Sequence, residues 1–124
     1  MKSPHDPRTL WHPYDTAMKK TLRLTTAQAL VQRLAAQQIR LDDGGLVPYC
    51  AGVFAIFGHG NVAGLGEALW AAREQIPTWR AHNEQAMAHA AIAYGKAQFR
   101  QRMMAVTTSI GPGATNLLTA AALA

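Results

Sequence analysis

The sequence predicts an α/β fold with a mostly parallel sheet, because one unit recurs along it: apolar strand, glycine segment, amphipathic helix. The strands come first. Val53–Phe57 ("VFAIF") and Met103–Thr107 ("MMAVT") are short apolar runs with β-branched or aromatic members, the texture of strands buried on both faces. Val106 is expected to point inside. Glycines follow each run, at positions 58, 60, 64 and 66 after the first and in "SIGPGATN" after the second. Both glycine segments are expected to be loops, and each gives way to residues with helical spacing.

The remaining elements follow in order. Residues 1–22 hold three prolines, dispersed charges and no period, and are expected to form an extended lead-in to a domain at 23–124. Thr25 or Thr26 can cap a helix, since a threonine oxygen accepts from an otherwise unpaired N–H at the helix start. Ala27, Leu30, Val31, Leu34 and Ala35 then keep the spacing of one helix face. "DDGG" at Asp42–Gly45 ends that unit. A helix is expected to run to about Glu74, and a short strand near Pro77–Trp79. Asn83 is a good cap for a helix reaching about Phe99, with Met87, Ala90, Ala91 and Tyr94 on its buried stripe. The last helix is expected from Ala114 onward.

Composition narrows the function. The chain has 124 residues, enough for one domain, and half of them are hydrophobic. Charged residues make up 15%, against about 25% in an average soluble chain, and the last thirty residues are poorer still. The sequence ends at "TAAALA", an apolar run without a helix stop signal. The expectation is the N-terminal part of a larger protein, truncated in mid-helix, with a surface meant for partners. The net charge of +5 is scattered and forms no basic stripe, which argues against a nucleic-acid partner. The single cysteine, Cys50, rules out an internal disulfide framework. Neither a signal peptide nor a membrane-spanning run is legible, so the cytoplasm is the default compartment and no membrane partner is expected.

One residue stands apart. Glu84 is the only carboxylate side chain between Gln75 and Ala124, and it sits at a helix start. In an open α/β sheet ligands bind beyond the carboxyl ends of the strands, where both glycine segments and the head of the Glu84 helix are expected. An acid in a first helical turn also has an ordinary use, because it stabilises the positive end of the helix dipole. Its acid-free surroundings and the converging glycine segments favour a ligand contact. Other motifs fail. Gly58, Gly60 and Gly64 are spaced G-x-G-x-x-x-G, which is not the dinucleotide fingerprint, and no Gly-Lys-Ser/Thr makes a phosphate loop. His82 and His89 are seven apart, not the four of a helical metal pair, so no metal ligand is assigned. His59 could reach a substrate or simply bond to backbone.

"HNEQAMAHAAIAYGK" followed by "TTSIGPGATNLLTAAALA" resembles the pyrimidine-binding domain of thiamine-diphosphate enzymes, the acetolactate-synthase and pyruvate-oxidase group. The likeness covers about residues 20–124. It implies a three-layer α/β/α domain and a cofactor, thiamine diphosphate with Mg²⁺, shared between two subunits of a homodimer or homotetramer. Carried over by position, Glu84 is the acid that bonds N1′ of the aminopyrimidine. The proton it shares with the ring favours the tautomer that activates the thiazolium carbon. Gly60 and Asn61 fall where the first loop approaches the cofactor, and Gly111, Pro112, Gly113 and Asn116 form the second loop. The diphosphate and metal are held in this family by a separate C-terminal domain with a Gly-Asp-Gly…Asn motif, absent from this sequence, so the chain alone is expected to be inactive. His82-Asn83 replaces the Arg-His of many relatives. "IFGHGNVAGLGEAL" leans within the family towards a hydrolase that breaks a C–C bond of a cyclic 1,2-diketone. An acetolactate-synthase-like carboligase and a non-catalytic Rossmann-type nucleotide-binding module remain open. Burial raises the pKa of a carboxyl such as Glu84 and a helix start lowers it, and the sequence leaves the winner open.

Overall fold

A computed structural model describes residues 21–124, so nearly all of the expected 1–22 lead-in lies outside the described residues. Helix α1 spans Thr26–Ala36 and is fixed at its start by a reciprocal cap. The Thr25 hydroxyl accepts from the Gln28 amide at 3.2 Å, and the Gln28 side chain accepts from the Thr25 amide at 2.9 Å. Of the expected face, Val31 is fully buried and Ala27, Leu34 and Ala35 pack beside it. Leu30 is half exposed and does not belong to the core.

The "DDGG" stretch does more than end a unit. It turns a hairpin of β1, Gln38–Arg40, and β2, Leu46–Pro48, paired antiparallel. Asp43 caps the turn by accepting from the Gly45 amide at 2.8 Å, and the Arg40 side chain donates to the Gly44 carbonyl at 3.1 Å. Strands of three residues are too short to show alternation, which is why only their turn was legible.

Three further strands form a parallel sheet in the order β4-β3-β5. They are β3 (Cys50–Ala55), β4 (Thr78–Trp79) and β5 (Met103–Thr107). Central β3 is the strand buried on both faces, although it starts three residues earlier than Val53 and ends before Phe57. In β5 the buried residue is Met104, and Val106 is only half-buried. The edge position of β5 in this set leaves its side chains partly uncovered.

The glycine segment after β3 is helical, contrary to the expected loop. It comprises α2 (Gly58–Asn61), a π-helical turn (Val62–Gly66) and α3 (Glu67–Ala71). A glycine in a helix costs only about 1 kcal/mol relative to alanine, and packing recovers it. Ala68 and Leu69 of α3 join Val31, Cys50, Val53, Ala55 and Ile76 in one buried cluster. Helix α4 (Glu84–Ala97) is capped by Asn83, whose Oδ1 accepts from the Ala86 amide at 2.8 Å. Its buried stripe is Glu84, Met87 and Ala88, with Ala91 and Tyr94 half-buried and Ala90 exposed. Helix α5 (Pro112–Ala121) starts two residues before the expected Ala114, because Pro112 is preset for a first helical turn.

Strand order and handedness place the helices. The chain steps one way from β3 to β4 and back across β3 to β5. Parallel crossovers are right-handed, so α3 and α4 must lie on opposite faces of the sheet. The packing agrees: α1 packs on the π turn and α3, whereas α4 packs on β5 and α5. The layers are therefore helix, sheet, helix. Among the described residues no helix is long and apolar enough to cross a membrane.

Ile76, with no exposed surface, closes the cluster between α3 and β4. Ile76→Ala is expected to cost about 2–5 kcal/mol in urea denaturation of the full-length protein. Thr25→Ala, which removes only the cap, is expected to cost about 1 kcal/mol in the same measurement.

Candidate functional site

Opposite-face helices after adjacent strands open a crevice at the carboxyl edge of the sheet. Here the adjacent strands are β3 and β5, followed by α2 and α5. Gly58 leaves β3 at φ +64°, a left-handed conformation that glycine adopts without strain. A Cβ at Gly58 would press on Ser109, at 3.0 Å from its Cβ, so the two loops are in contact.

The third contributor is the head of α4. Glu84 is 8% exposed and is the buried charged residue of the described structure. Its Oε1 accepts from the Ser109 hydroxyl at 2.7 Å, a link between the start of α4 and the loop after β5. That length is typical of a hydroxyl bonded to an ionised carboxylate. Gly113, in the first turn of α5, lies directly against this pair. A Cβ there would collide with Glu84 Oε1 and the Ser109 Oγ, so no other residue fits without displacing the carboxylate.

The opposing influences on Glu84 resolve downward. The Ser109 hydroxyl is the largest cause, the residue's own amide at the helix mouth comes next, and both hold the carboxyl below its ordinary value of 4.5. Burial pushes the other way and is outweighed, while the Ser109 amide adds to the lowering. Glu84 is thus a buried acid kept ionised at neutral pH.

An open groove of about 820 Å³ runs from this carboxylate along α5, lined also by Pro112, Gly113, Thr115, Asn116 and Thr119. Its polar groups are one carboxylate, hydroxyls and an amide. Among the described residues no lysine or arginine lines it, so it offers no side-chain cation to a phosphate.

The expected site residues divide accordingly. Glu84, Pro112, Gly113 and Asn116 meet at the groove, with Gly111 capping the helix beside them. Gly60 and Asn61 lie on α2 and do not line it; a Cβ at Gly60 would meet nothing within 4 Å. His59, His82 and His89 are exposed, and His89 Nε2 lies 3.4 Å from the Gln85 amide nitrogen. Among the described residues no three His, Cys, Asp or Glu side chains gather as a metal site. Ser109, Thr115 and Thr119 were not singled out from the sequence. The signal for the threonines was present, since Pro112, Thr115, Asn116 and Thr119 keep the spacing of one helix face.

A lone buried acid at the switch point of a parallel sheet, beside a glycine-started helix, defines an α/β ligand-binding domain of the kind that positions an organic cofactor. The chain belongs to the thiamine pyrophosphate enzymes: the family "Thiamine pyrophosphate enzyme, N-terminal TPP binding domain" matches residues 50–124. It is also similar to proteins named 3D-(3,5/4)-trihydroxycyclohexane-1,2-dione hydrolase. The protein of that name from Shouchella clausii is 53% identical over 107 residues, which are 86% of this chain and 17% of the relative. One from Listeria monocytogenes serotype 4b is 54% identical over 106 residues, 86% of this chain and 16% of the relative. One from Bacillus subtilis is 50% identical over 107 residues, again 86% and 17%. The chain therefore spans about one sixth of the length of these relatives. No solved structure matches it significantly.

Gly113→Ala is expected to force the carboxylate aside and destabilise the full-length protein by about 1–3 kcal/mol, measured by urea denaturation near neutral pH. Glu84 also sets a pH dependence. A carboxyl whose folded pKa lies below its unfolded one contributes stability that is complete above the unfolded value and lost as pH falls through the folded value. The stability gap between the wild type and Glu84→Gln is thus expected to be largest near neutrality and to shrink as pH drops below the ordinary glutamate value of 4.5. Denaturation curves across that range check it.

Proposed function

We propose that this chain provides the pyrimidine-side half of a thiamine-diphosphate site in an enzyme that hydrolyses a C–C bond, opening the ring of trihydroxycyclohexane-1,2-dione in inositol breakdown. The observation that carries the reading is Glu84: a single buried carboxylate, free of competing charges, facing a groove that only a glycine at position 113 leaves open. The hydrolase names of relatives at 50–54% identity favour this substrate over the acetolactate-type carboligation.

When bound, the cofactor supplies a nucleophilic carbon and an electron sink. The chain's residues do the rest on their side. Glu84 shares a proton with the ring nitrogen N1′, which a desolvated carboxylate at a helix start can do without a second acid competing for it. Gly113 keeps the approach to that carboxylate clear, and Pro112 and Asn116 wall the groove beside it. Gly111 fixes the entry of α5. Gly60 and Asn61 would meet the cofactor only from α2, across from the groove.

The groove's lining, with no lysine or arginine among the described residues, supports the view that the diphosphate and Mg²⁺ are held elsewhere, by a C-terminal domain of a second subunit in a homodimer or homotetramer. The expected compartment is the cytoplasm.

Glu84→Gln in the full-length protein is expected to slow deuterium exchange at C2 of bound thiamine diphosphate by about 10²–10⁴-fold, the usual worth of a positioned proton donor or acceptor. Ring opening of the dione should fall with it. Exchange at the wild-type rate would remove Glu84 from the reaction and overturn the reading.

A further inference from the structure

We propose that Ser109 is a positioning residue for Glu84: its hydroxyl holds the carboxylate through Oε1 and draws the shared proton away from it. The inference rests on the cofactor reading above and deepens it.

The geometry fixes the carboxylate. Oε1 accepts from the Ser109 hydroxyl at 2.7 Å and lies against Gly113. Ser109 is itself held in place, because Gly58 packs on its Cβ from the loop after β3 and Gly113 packs on its Oγ from α5. The hydroxyl therefore has little freedom to turn elsewhere. Adding a donor to one carboxylate oxygen withdraws electron density from the whole group, so the carboxylate becomes a weaker base. A proton held between Glu84 and a ring nitrogen then lies further towards the nitrogen than it would without Ser109. The lowered pKa of Glu84, caused first by this hydroxyl, agrees with that polarisation.

Few other groups could produce the same effect. Helix α5 and strand β5 carry no titratable side chain. Strand β3 carries only Cys50, which belongs to the cluster with α1 and α3. On α4 the next titratable groups are His89, Tyr94 and Lys96, and His82 precedes the helix on an exposed loop. His59 is exposed on α2. None of these lines the groove.

The test uses full-length protein carrying Ser109→Ala, Glu84→Gln or both. C2 deuterium exchange of thiamine diphosphate is followed in each. Proton uptake on cofactor binding is measured by calorimetry in buffers of different ionisation enthalpy. Ser109→Ala is expected to slow exchange by about ten- to a hundred-fold, the range of a hydrogen bond to a charged group. It should change nothing further in the Glu84→Gln background. Loss of the hydroxyl raises the Glu84 pKa, so the free carboxyl of the variant is more protonated at mildly acid pH. Proton uptake near pH 5 is therefore expected to be smaller in Ser109→Ala than in the wild type, and equal at about pH 7. An equal slowing by Ser109→Ala with and without Glu84 would make Ser109 merely structural. Proton uptake unchanged by the variant would also overturn the inference while leaving the cofactor reading intact. If Glu84→Gln itself exchanges at the wild-type rate, the cofactor reading fails and this inference falls with it.

Discussion

The constraint on which this structure turns is the burial of one negative charge. An isolated carboxylate in an apolar interior would neutralise itself by taking a proton. Glu84 avoids that outcome because three pieces of chain reach it. Asn83 begins a helix whose first amide lies beside the carboxyl, Ser109 arrives from the far strand with a hydroxyl, and Gly113 makes room for both. They come from two β–α junctions, the one that leads into α4 and the one between β5 and α5. The sheet must therefore be in register before the charge is satisfied, and the site is a consequence of the tertiary fold.

That dependence explains the distribution of glycine along the chain. At Gly58 and Gly113 a side chain would meet Ser109 or Glu84, so the absence of a Cβ has a direct use at the site. At Gly60 it has none in the described structure, and at Gly64 an added Cβ would lie an ordinary 4.0 Å from the Ala27 Cβ of α1. The absence of a side chain is required at one position and dispensable at the next. Counting glycines along a segment cannot separate these uses, which is why the stretch after β3 read as a loop and folds as a helix.

The groove also divides labour by chemistry. Among the described residues its lining offers a carboxylate, hydroxyls and an amide, and no lysine or arginine. Such a lining can engage a partner through hydrogen bonds and offers no side-chain cation to a polyanion.

Much was already decided by sequence. Local caps fixed the helix starts at Thr25 and Asn83, whereas the start of α5 at Pro112 was read two residues late. Continuous apolar runs fixed the buried strands, and a single acid in a long uncharged stretch marked Glu84. These features are legible because their physics is local or because one residue type is conspicuous. The tertiary structure alone decided the rest. Leu30 and Ala90 keep helical spacing yet face outward, since periodicity defines a stripe but not how wide a neighbour will cover it. The hairpin's strands were too short to carry a pattern. Ser109, twenty-five residues from Glu84, became its partner only when strand order β4-β3-β5 brought β5 beside β3. The direction of the Glu84 pKa likewise needed that partner, because burial and hydrogen bonding oppose each other and only distance in three dimensions says which is larger.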